Sequence, residues 1–419
     1  MMPQSQVFRK FRAAHYCYWA MSSAILGYWA VYFQGERNIA ESEIGWMMSI
    51  YVSAALLGQY AFGFIADKLR SLRALVVGAA LLFAAVVAAM PFQTESIGIR
   101  TTMALLGFLQ QPIGPMLDSW TLKYLSQHVQ PSAFGRIRSF GSLGWATVAL
   151  LTAYLILYIA WTMLFVVAMV AALLLAAVAA TIPDAMNTES SARSEGESLT
   201  MRRSLVQLFG NPSYCFILAV VFLMYLGVQT TFNYQGLLIK AAGGGVAELG
   251  WTFFFGVMCE MPAMFLSVWL LPRLPAKRLM AIAGTLYMVR YGLIIYFQTS
   301  SIVMLTACLE GIAFGLLLSS LRSYVFSVVD EEVQTLGMTV VDATFLGLTV
   351  IIGGVLGGWL IERYSVFTMV AACAISSGLA LMLLLVGGSL SDQAVSAKRV
   401  VESGRHEGKD DDDFRVARP

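Results

Sequence analysis

Apolar residues run along this chain in long stretches, separated by short polar turns. A helix that rises 1.5 Å per residue needs about 20 predominantly apolar residues to cross the hydrocarbon core of a bilayer. Twelve stretches reach that length, at residues 13–34, 44–66, 72–92, 98–125, 136–159, 161–182, 211–238, 246–271, 277–297, 302–327, 336–361 and 364–387. An open sheet would leave backbone groups unpaired in lipid, and the stretches lack the two-residue alternation of a barrel strand, so each predicts a helix.

One interruption is longer and more polar than the rest: PDAMNTESSARSEGESLTMRRS, Pro183 to Ser204. It divides the spans into six and six, predicting an all-α membrane protein of two pseudo-symmetric six-helix bundles. The expected division is a bundle over residues 1–182, a linker over 183–210, a second bundle over 211–388 and a disordered tail over 389–419. A faint repeat supports two related halves. DKLRSLRALVVGAAL follows the second span and PRLPAKRLMAIAGTL the eighth, each with basic residues ahead of an apolar run.

Composition agrees with lipid as the solvent. Of 419 residues, 58% are hydrophobic and 12% charged, with a mean hydropathy of +0.72. A formal net charge of +2 gives no footprint for nucleic acid. Five cysteines, Cys17, Cys215, Cys259, Cys308 and Cys373, lie inside apolar stretches and read as small hydrophobes. His15 and His128 fall near span boundaries and His406 in the tail, so no metal cluster is expected. No nucleophile–base set and no phosphate-binding glycine loop with lysine occurs, which argues against an enzyme and against ATP use. The basic N-terminus, MMPQSQVFRKFR, precedes a run long enough to span, which is unlike a cleaved signal peptide. Of the 27 Lys and Arg, only Arg37, Arg100, Lys240 and Arg363 fall in loops on the face away from the linker, with Arg290 inside a span. The positive-inside bias therefore predicts both termini in the cytoplasm and a place in the cell membrane.

Ionisable side chains inside spans are costly in lipid and mark function. They are Asp118, Arg138, Glu260, Arg290, Glu310 and Asp342; Lys123, Arg136 and Arg322 stand nearer the ends, within snorkelling reach of the interface. Asp118 and Arg138 lie on consecutive spans, close to the loop that joins them. A carboxylate and a guanidinium fork together can each bond two neighbouring hydroxyls. Trp145, two turns beyond Arg138, offers an indole face to the C–H face of a pyranose. The competing reading is a structural ion pair with a packing tryptophan. Pro112 and Pro115 are expected to kink the fourth span ahead of Asp118. Gly353, Gly354, Gly357 and Gly358 predict tight helix contact. Tyr28 and Tyr32, one turn apart, either line a polar cavity or pack.

Six plus six helices around a polar linker is the layout of major facilitator transporters. GFIADKLRSLR, between the second and third spans, resembles that family's loop signature. It implies a gating role for Gly63, Asp67, Arg70 and Arg73, with Gly63 allowing close helix approach and Asp67 capping a helix or pairing with a base; otherwise the segment is a polar turn. FGRIRSFGSLGW is similar to the fifth helix of the lactose permease-like oligosaccharide:proton symporter family, with the pattern GRxRxFGxxGW. PMLDSW places Asp118 where that family has a glutamate. The resemblance implies sugar recognition by Asp118, Arg138 and Trp145. It further implies, through MCEMPAMF and AGTLYMVRYG, that Glu260 touches both substrate and coupling machinery and that Arg290 stands beside the proton site. CLEGIAFG departs from the family pattern: the family has a histidine followed three residues later by a protonatable glutamate, and here stand Glu310 and Ala313. Family charges in the seventh and eleventh spans are replaced by Gln229, Thr230, Asn233 and Asp342. Glu310 is the expected proton carrier, switched by the approach of Arg290, with Glu260 the competitor. Tyr28 and Asn233 join the expected substrate set.

The expectation is thus a secondary transporter importing a sugar or small oligosaccharide with protons by alternating access. It needs no cofactor beyond the proton gradient, has lipid and a small solute as partners, and works as a monomer. Alternatives are a carrier of a nucleoside or aromatic acid, a uniporter without proton coupling, multidrug efflux, and a receptor that binds without transport.

Overall fold

The computed structural model describes residues 4–69, 71–127, 133–184 and 197–387. The expected tail, His128 and Arg70 lie outside the described residues, as does the side chain of Asp67.

Twelve membrane-scale helices form, and the described residues contain no strand. The first half holds α1 (Gln4–Leu26, continued by Trp29–Arg37), α2 (Glu41–Leu69), α3 (Leu72–Ala89), α4 (Ser96–Gln110, continued by Ile113–Gln127), α5 (Phe134–Tyr158) and α6 (Met163–Ala180). The second holds α7 (Pro212–Asn233, continued by Gln235–Ala241), α8 (Val246–Leu270), α9 (Ala276–Phe297), α10 (Ser300–Val328) and α11 (Gln334–Ala343, Thr344–Leu348 and Thr349–Arg363). Residues Val366–Gly387 form α12. Ten of these helices contain a stretch long and apolar enough to cross a membrane. The two others, α1 and α4, are each interrupted, as are α7 and α11. The break in α4 falls at Gln111 and Pro112, where proline removes a backbone donor and its ring clashes with the preceding turn. The expected kink is therefore present, and Asp118 lies in the segment beyond it.

Several expectations need correction. Helix α1 starts at Gln4, well before residue 13, and it breaks at Gly27 and Tyr28. Within the linker, Glu197–Phe209 is a helix whose Leu208 is buried and whose Gln207 amide donates to Asp330 Oδ2 at 3.1 Å. A side chain at Gly63 would meet nothing within 4 Å, so this glycine makes no close helix approach in this state. The cap of α3 is Ser71, whose hydroxyl accepts from Ala74 N at 3.1 Å. Asp67 lies within α2. The carboxylate that reaches the start of α3 belongs to Asp184, which accepts from the Ser71 hydroxyl and, at 3.3 Å, from the backbone N–H of Arg73.

The halves meet mainly through α2 against α11 and α5 against α8. Along α2 and α11 the contact is backbone to backbone. A Cβ at Gly45 would strike the Gly354 carbonyl, and one at Gly358 the Glu41 carbonyl. Ser49 Oγ donates to Ile351 O at 3.0 Å, and Ser42 N donates to Glu362 Oε2 at 3.1 Å. The four glycines of α11 serve two neighbours: Gly354 and Gly358 face α2, while Gly353 and Gly357 face Thr230 and Tyr234 of α7. Between α5 and α8, Trp251 Nε1 donates to Tyr154 Oη at 3.2 Å. Lys240 Nζ donates to Gln34 Oε1 at 2.8 Å. All these bonds lie on the face opposite the linker. Towards the linker face the contact between α2 and α11 falls away, extensive along Thr349–Arg363, slight along Thr344–Leu348 and slighter still along Gln334–Ala343. The molecule is sealed on the far face and cleft on the linker face.

This geometry makes the far seal depend on the absence of side chains at one crossing. Gly354→Trp is expected to force the far face apart. In a background with the five cysteines replaced by alanine, spin labels at Glu95→Cys and Arg363→Cys should report a longer separation than in the parent. An unchanged distance distribution would show that the crossing does not set the seal.

Candidate functional site

The cleft leads to two charged clusters, one in each half. In the first, α1, α4 and α5 converge. Arg138 Nε lies 3.5 Å from Asp118 Oδ1, and Asp118 keeps 38% of its side-chain surface exposed. The Arg138 guanidinium sits 4.5 Å from the centroid of the Trp19 ring, a cation–π contact that holds its plane. Trp19 meets Trp145 edge to face at 5.9 Å. Two glycines of the FGSLGW segment allow this. A Cβ at Gly141 would collide with Trp19, and one at Gly144 with the backbone of Tyr16, so α1 and α5 touch through their main chains.

His15 is the partner that sequence reasoning missed. It is buried inside the bundle, not near a boundary, with Nδ1 3.8 Å from Asp118 Oδ1 and Nε2 3.1 Å from Thr121 Oγ1. Thr121 donates its own proton to Leu117 O. The Nε2–H of His15 therefore donates to Thr121 and Nδ1 faces the carboxylate, an assignment made from the bonding network. Its spacing to Asp118 carries no local signal, since the two are joined only by the packing of α1 on α4. Gln110, at the break in α4, is similarly unannounced. It accepts from Tyr51 Oη at 2.7 Å and donates to Ser22 Oγ at 2.7 Å.

Trp145 is buried and spans the halves, 5.9 Å from Phe232 of α7 and 6.4 Å from Phe253 of α8 by ring centroids. These rings roof the cleft on its sealed side, while Trp19 carries the aromatic surface next to Arg138. Tyr28 is fully buried, and its hydroxyl donates to Ala149 O at 2.5 Å. It is a packing residue here, and the expectation that it lines the substrate cavity is corrected. Asn233 stands at the end of the first α7 segment with its Nδ2 buried and unpartnered among the described residues.

In the second cluster, Arg290 Nη2 pairs with Glu310 Oε2 at 2.7 Å and donates to Gln235 Oε1 at 3.0 Å. Arg290 is fully buried, and Glu310 retains 17% exposure. Nε and Nη1 of Arg290 have no partner among the described residues. The expected neighbourhood of Arg290 and Glu310 is thus a direct ion pair, and Gln235, absent from the expected set, is its third member. Glu260 lies on α8 two residues before Pro262, where α8 runs against Gly311 and Gly315 of α10. Its carboxylate is within electrostatic reach of both Arg138 and Glu310, linking the clusters. No group of three metal-ligating side chains occurs among the described residues.

The described site can present a guanidinium fork and a carboxylate to vicinal hydroxyls, beside aromatic faces, with a second carboxylate, Glu310, paired to a buried arginine. Comparison with known proteins gives this arrangement a family. The MFS_1 like family matches residues 8–372. The maltose permease of Geobacillus stearothermophilus is 28% identical over 359 residues, 85% of this chain and 89% of that protein. An uncharacterized transporter, YwbF, of Bacillus subtilis (strain 168) is 21% identical over 83% of this chain and 85% of its own. The solved nucleoside transporter NupG superposes with a TM-score of 0.78 at 16% identity, covering 91% of this chain and 98% of that one. A D-xylose-proton symporter superposes with a TM-score of 0.72 at 12% identity, covering 90% and 96%. At those identities the two structures bear on the fold alone. With the family matched over most of its length, this chain belongs to the MFS_1 like family and is a transporter of the major facilitator superfamily, an integral membrane protein.

Proposed function

We propose that the protein carries a sugar or small oligosaccharide across the cell membrane together with a proton. The observation that carries this reading is the Arg138 guanidinium, held between the Asp118 carboxylate and the Trp19 ring and making no hydrogen bond of its own to another described residue. It leaves planar donors free beside a carboxylate acceptor, which suits neighbouring hydroxyls. The similarity to a protein described as a maltose permease supports a sugar. The linker face is cytoplasmic in this proposal, and the state described is open to the inside. Alternating access would then exchange the far seal for a seal on the linker face.

Proton coupling is assigned to Glu310. In the state described, Arg290 compensates its charge at 2.7 Å. Withdrawal of Arg290 would leave a buried carboxylate without a partner, which is costly enough that it takes up a proton. Two further donors of Arg290 without partners leave this group able to change company. Glu260, between the clusters, relays the presence of substrate at Arg138 to Glu310 through charge.

Arg138→Lys removes the fork but keeps the charge. In proteoliposomes the half-saturation concentration for counterflow of the transported sugar should rise roughly 10- to 100-fold, the equivalent of losing about one or two charge-assisted hydrogen bonds. If every saccharide behaves as in the parent, Arg138 does not read substrate. If the parent exchanges no saccharide, a nucleoside and aromatic-acid panel is the next substrate set.

Glu310→Gln separates binding from coupling. A symporter accumulates substrate when the outside is more acidic than the inside, so parent uptake should rise as external pH falls against a fixed internal pH. The variant should keep counterflow and lose that dependence and all uphill accumulation. Retained uphill uptake in Glu310→Gln, with loss in Glu260→Gln, would move the proton to Glu260. A parent that is insensitive to the gradient would be a uniporter.

A further inference from the structure

The two halves carry the same pair of charges in opposite order. Asp118 and Arg138 stand on α4 and α5; Arg322 and Asp342 stand on α10 and α11. The spacing from Arg322 to Asp342 along the chain equals that from Asp118 to Arg138, and Ser96 and Ser300, the first residues of α4 and α10, are equally far from Asp118 and Arg322. The register differs by a single residue from that of the repeated basic segments ahead of α3 and α9. Arg322 and Asp342 are therefore the repeat counterparts of Asp118 and Arg138, with acid and base exchanged.

The structure brings the two pairs to one cleft. Arg322 is exposed and Asp342 half-buried. Arg322 acts electrostatically on Asp342 within its own half and on Asp118 across the cleft. Neither Arg322 nor Asp342 makes a hydrogen bond or an ion pair among the described residues. Exposed and unengaged, Arg322 leaves its donors free in this state.

Two local features set this pair apart from ordinary surface charges. Directly after Asp342 the helix widens into a π-turn, Thr344–Leu348, a distortion that recurs at functional sites. Behind the pair lies Tyr225, fully buried against Phe345 with ring centroids 4.0 Å apart. Its hydroxyl has no hydrogen-bond partner among the described residues and lies within the electrostatic reach of Arg322, Asp342 and Glu260. A buried hydroxyl with no partner is uncommon in a finished structure. Here it borders an acid–base pair that makes no hydrogen bond or ion pair among the described residues.

We propose that Arg322 and Asp342 form a second hydroxyl-reading fork, on the C-terminal half, opposite Asp118 and Arg138. This rests on the sugar reading above and extends it. Each half then grips one end of the substrate, and the roof of Trp145, Phe232 and Phe253 lies between the grips. A saccharide of two or more units engages both forks. A single pyranose engages the first fork alone.

The test is equilibrium titration of tryptophan fluorescence in the purified full chain, with glucose and maltose as probes. In the parent, maltose should bind at least tenfold more tightly than glucose. Arg322→Gln and Asp342→Asn should each weaken maltose about tenfold or more while changing glucose less than twofold, and retained glucose binding reports that the variant is folded. The exchanged double variant, Arg322→Asp with Asp342→Arg, keeps the charge count and should recover part of the maltose affinity. Equal weakening of both sugars in the single variants without recovery in the exchanged double, or unchanged binding of both, overturns the second fork and leaves the sugar reading standing. A parent that binds neither sugar overturns the fork as a reader of maltose, and the saccharide counterflow panel above then decides the sugar reading.

Discussion

A charge buried in a membrane protein has to be answered by another charge, and the Arg290–Glu310 pair is where this constraint is most severe. Arg290 has no exposed surface. Isolated there, its guanidinium would cost several kcal/mol, and breaking a buried pair is usually far more damaging than the net value of forming it. The pair therefore locks α9 to α10, and through Gln235 it also holds the short second segment of α7. That segment exists because α7 breaks after Asn233, and the break brings Gln235 under Arg290. The same constraint is what the proposed proton coupling would use, since a buried carboxylate separated from its partner favours the protonated form.

Where the charges concentrate, the backbone yields. The charged clusters lie beside interruptions or prolines in helices: the break at Pro112 ahead of Asp118, Pro262 within the continuous α8 beside Glu260, the break of α7 ahead of Gln235, the π-turn after Asp342. Where the halves seal, the opposite holds. Gly45, Gly354 and Gly358 let two helices meet through their main chains, a contact with no ion pair between α2 and α11 among the described residues. The protein thus keeps its rigid contact and its chemistry at different depths.

Much of this was legible in the sequence. Span length and the polar linker gave twelve helices in two halves, because lipid imposes one length and one period on every element. Asp118, Arg138, Glu260, Arg290 and Glu310 stood out because charges are rare in such stretches. What escaped has a common cause. His15, Trp19 and Gln235 matter through partners far along the chain, and nothing local marks a buried histidine in a span already rich in aromatics. Tyr28 was misplaced because two tyrosines one turn apart look the same whether they face a cavity or a neighbouring helix. The linker helix was hidden by a polar composition that reads as loop until Leu208 finds a buried site. Gly63 was assigned a close approach that belongs instead to Gly45, since the sequence does not say on which face of the membrane two helices cross.

The reversed order of charge in the two halves follows from what a repeat must avoid. Had the second half kept the acid and base in the first half's order, closing the cleft would bring Asp118 towards another acid and Arg138 towards another base. Like charges meeting in a desolvated cleft repel strongly. With the order exchanged, Asp118 lies within the electrostatic reach of Arg322, and in the proposed arrangement closure would bring opposite charges together. A substrate with hydroxyls at both ends can lie between them and be bonded by all four groups, because hydroxyls donate to carboxylates and accept from guanidinium ions. An anionic or cationic substrate would satisfy one member of each pair and repel the other. Under the proposed second fork, the cleft would discriminate by charge neutrality before shape, and a neutral polyol would leave it electrostatically balanced both open and closed.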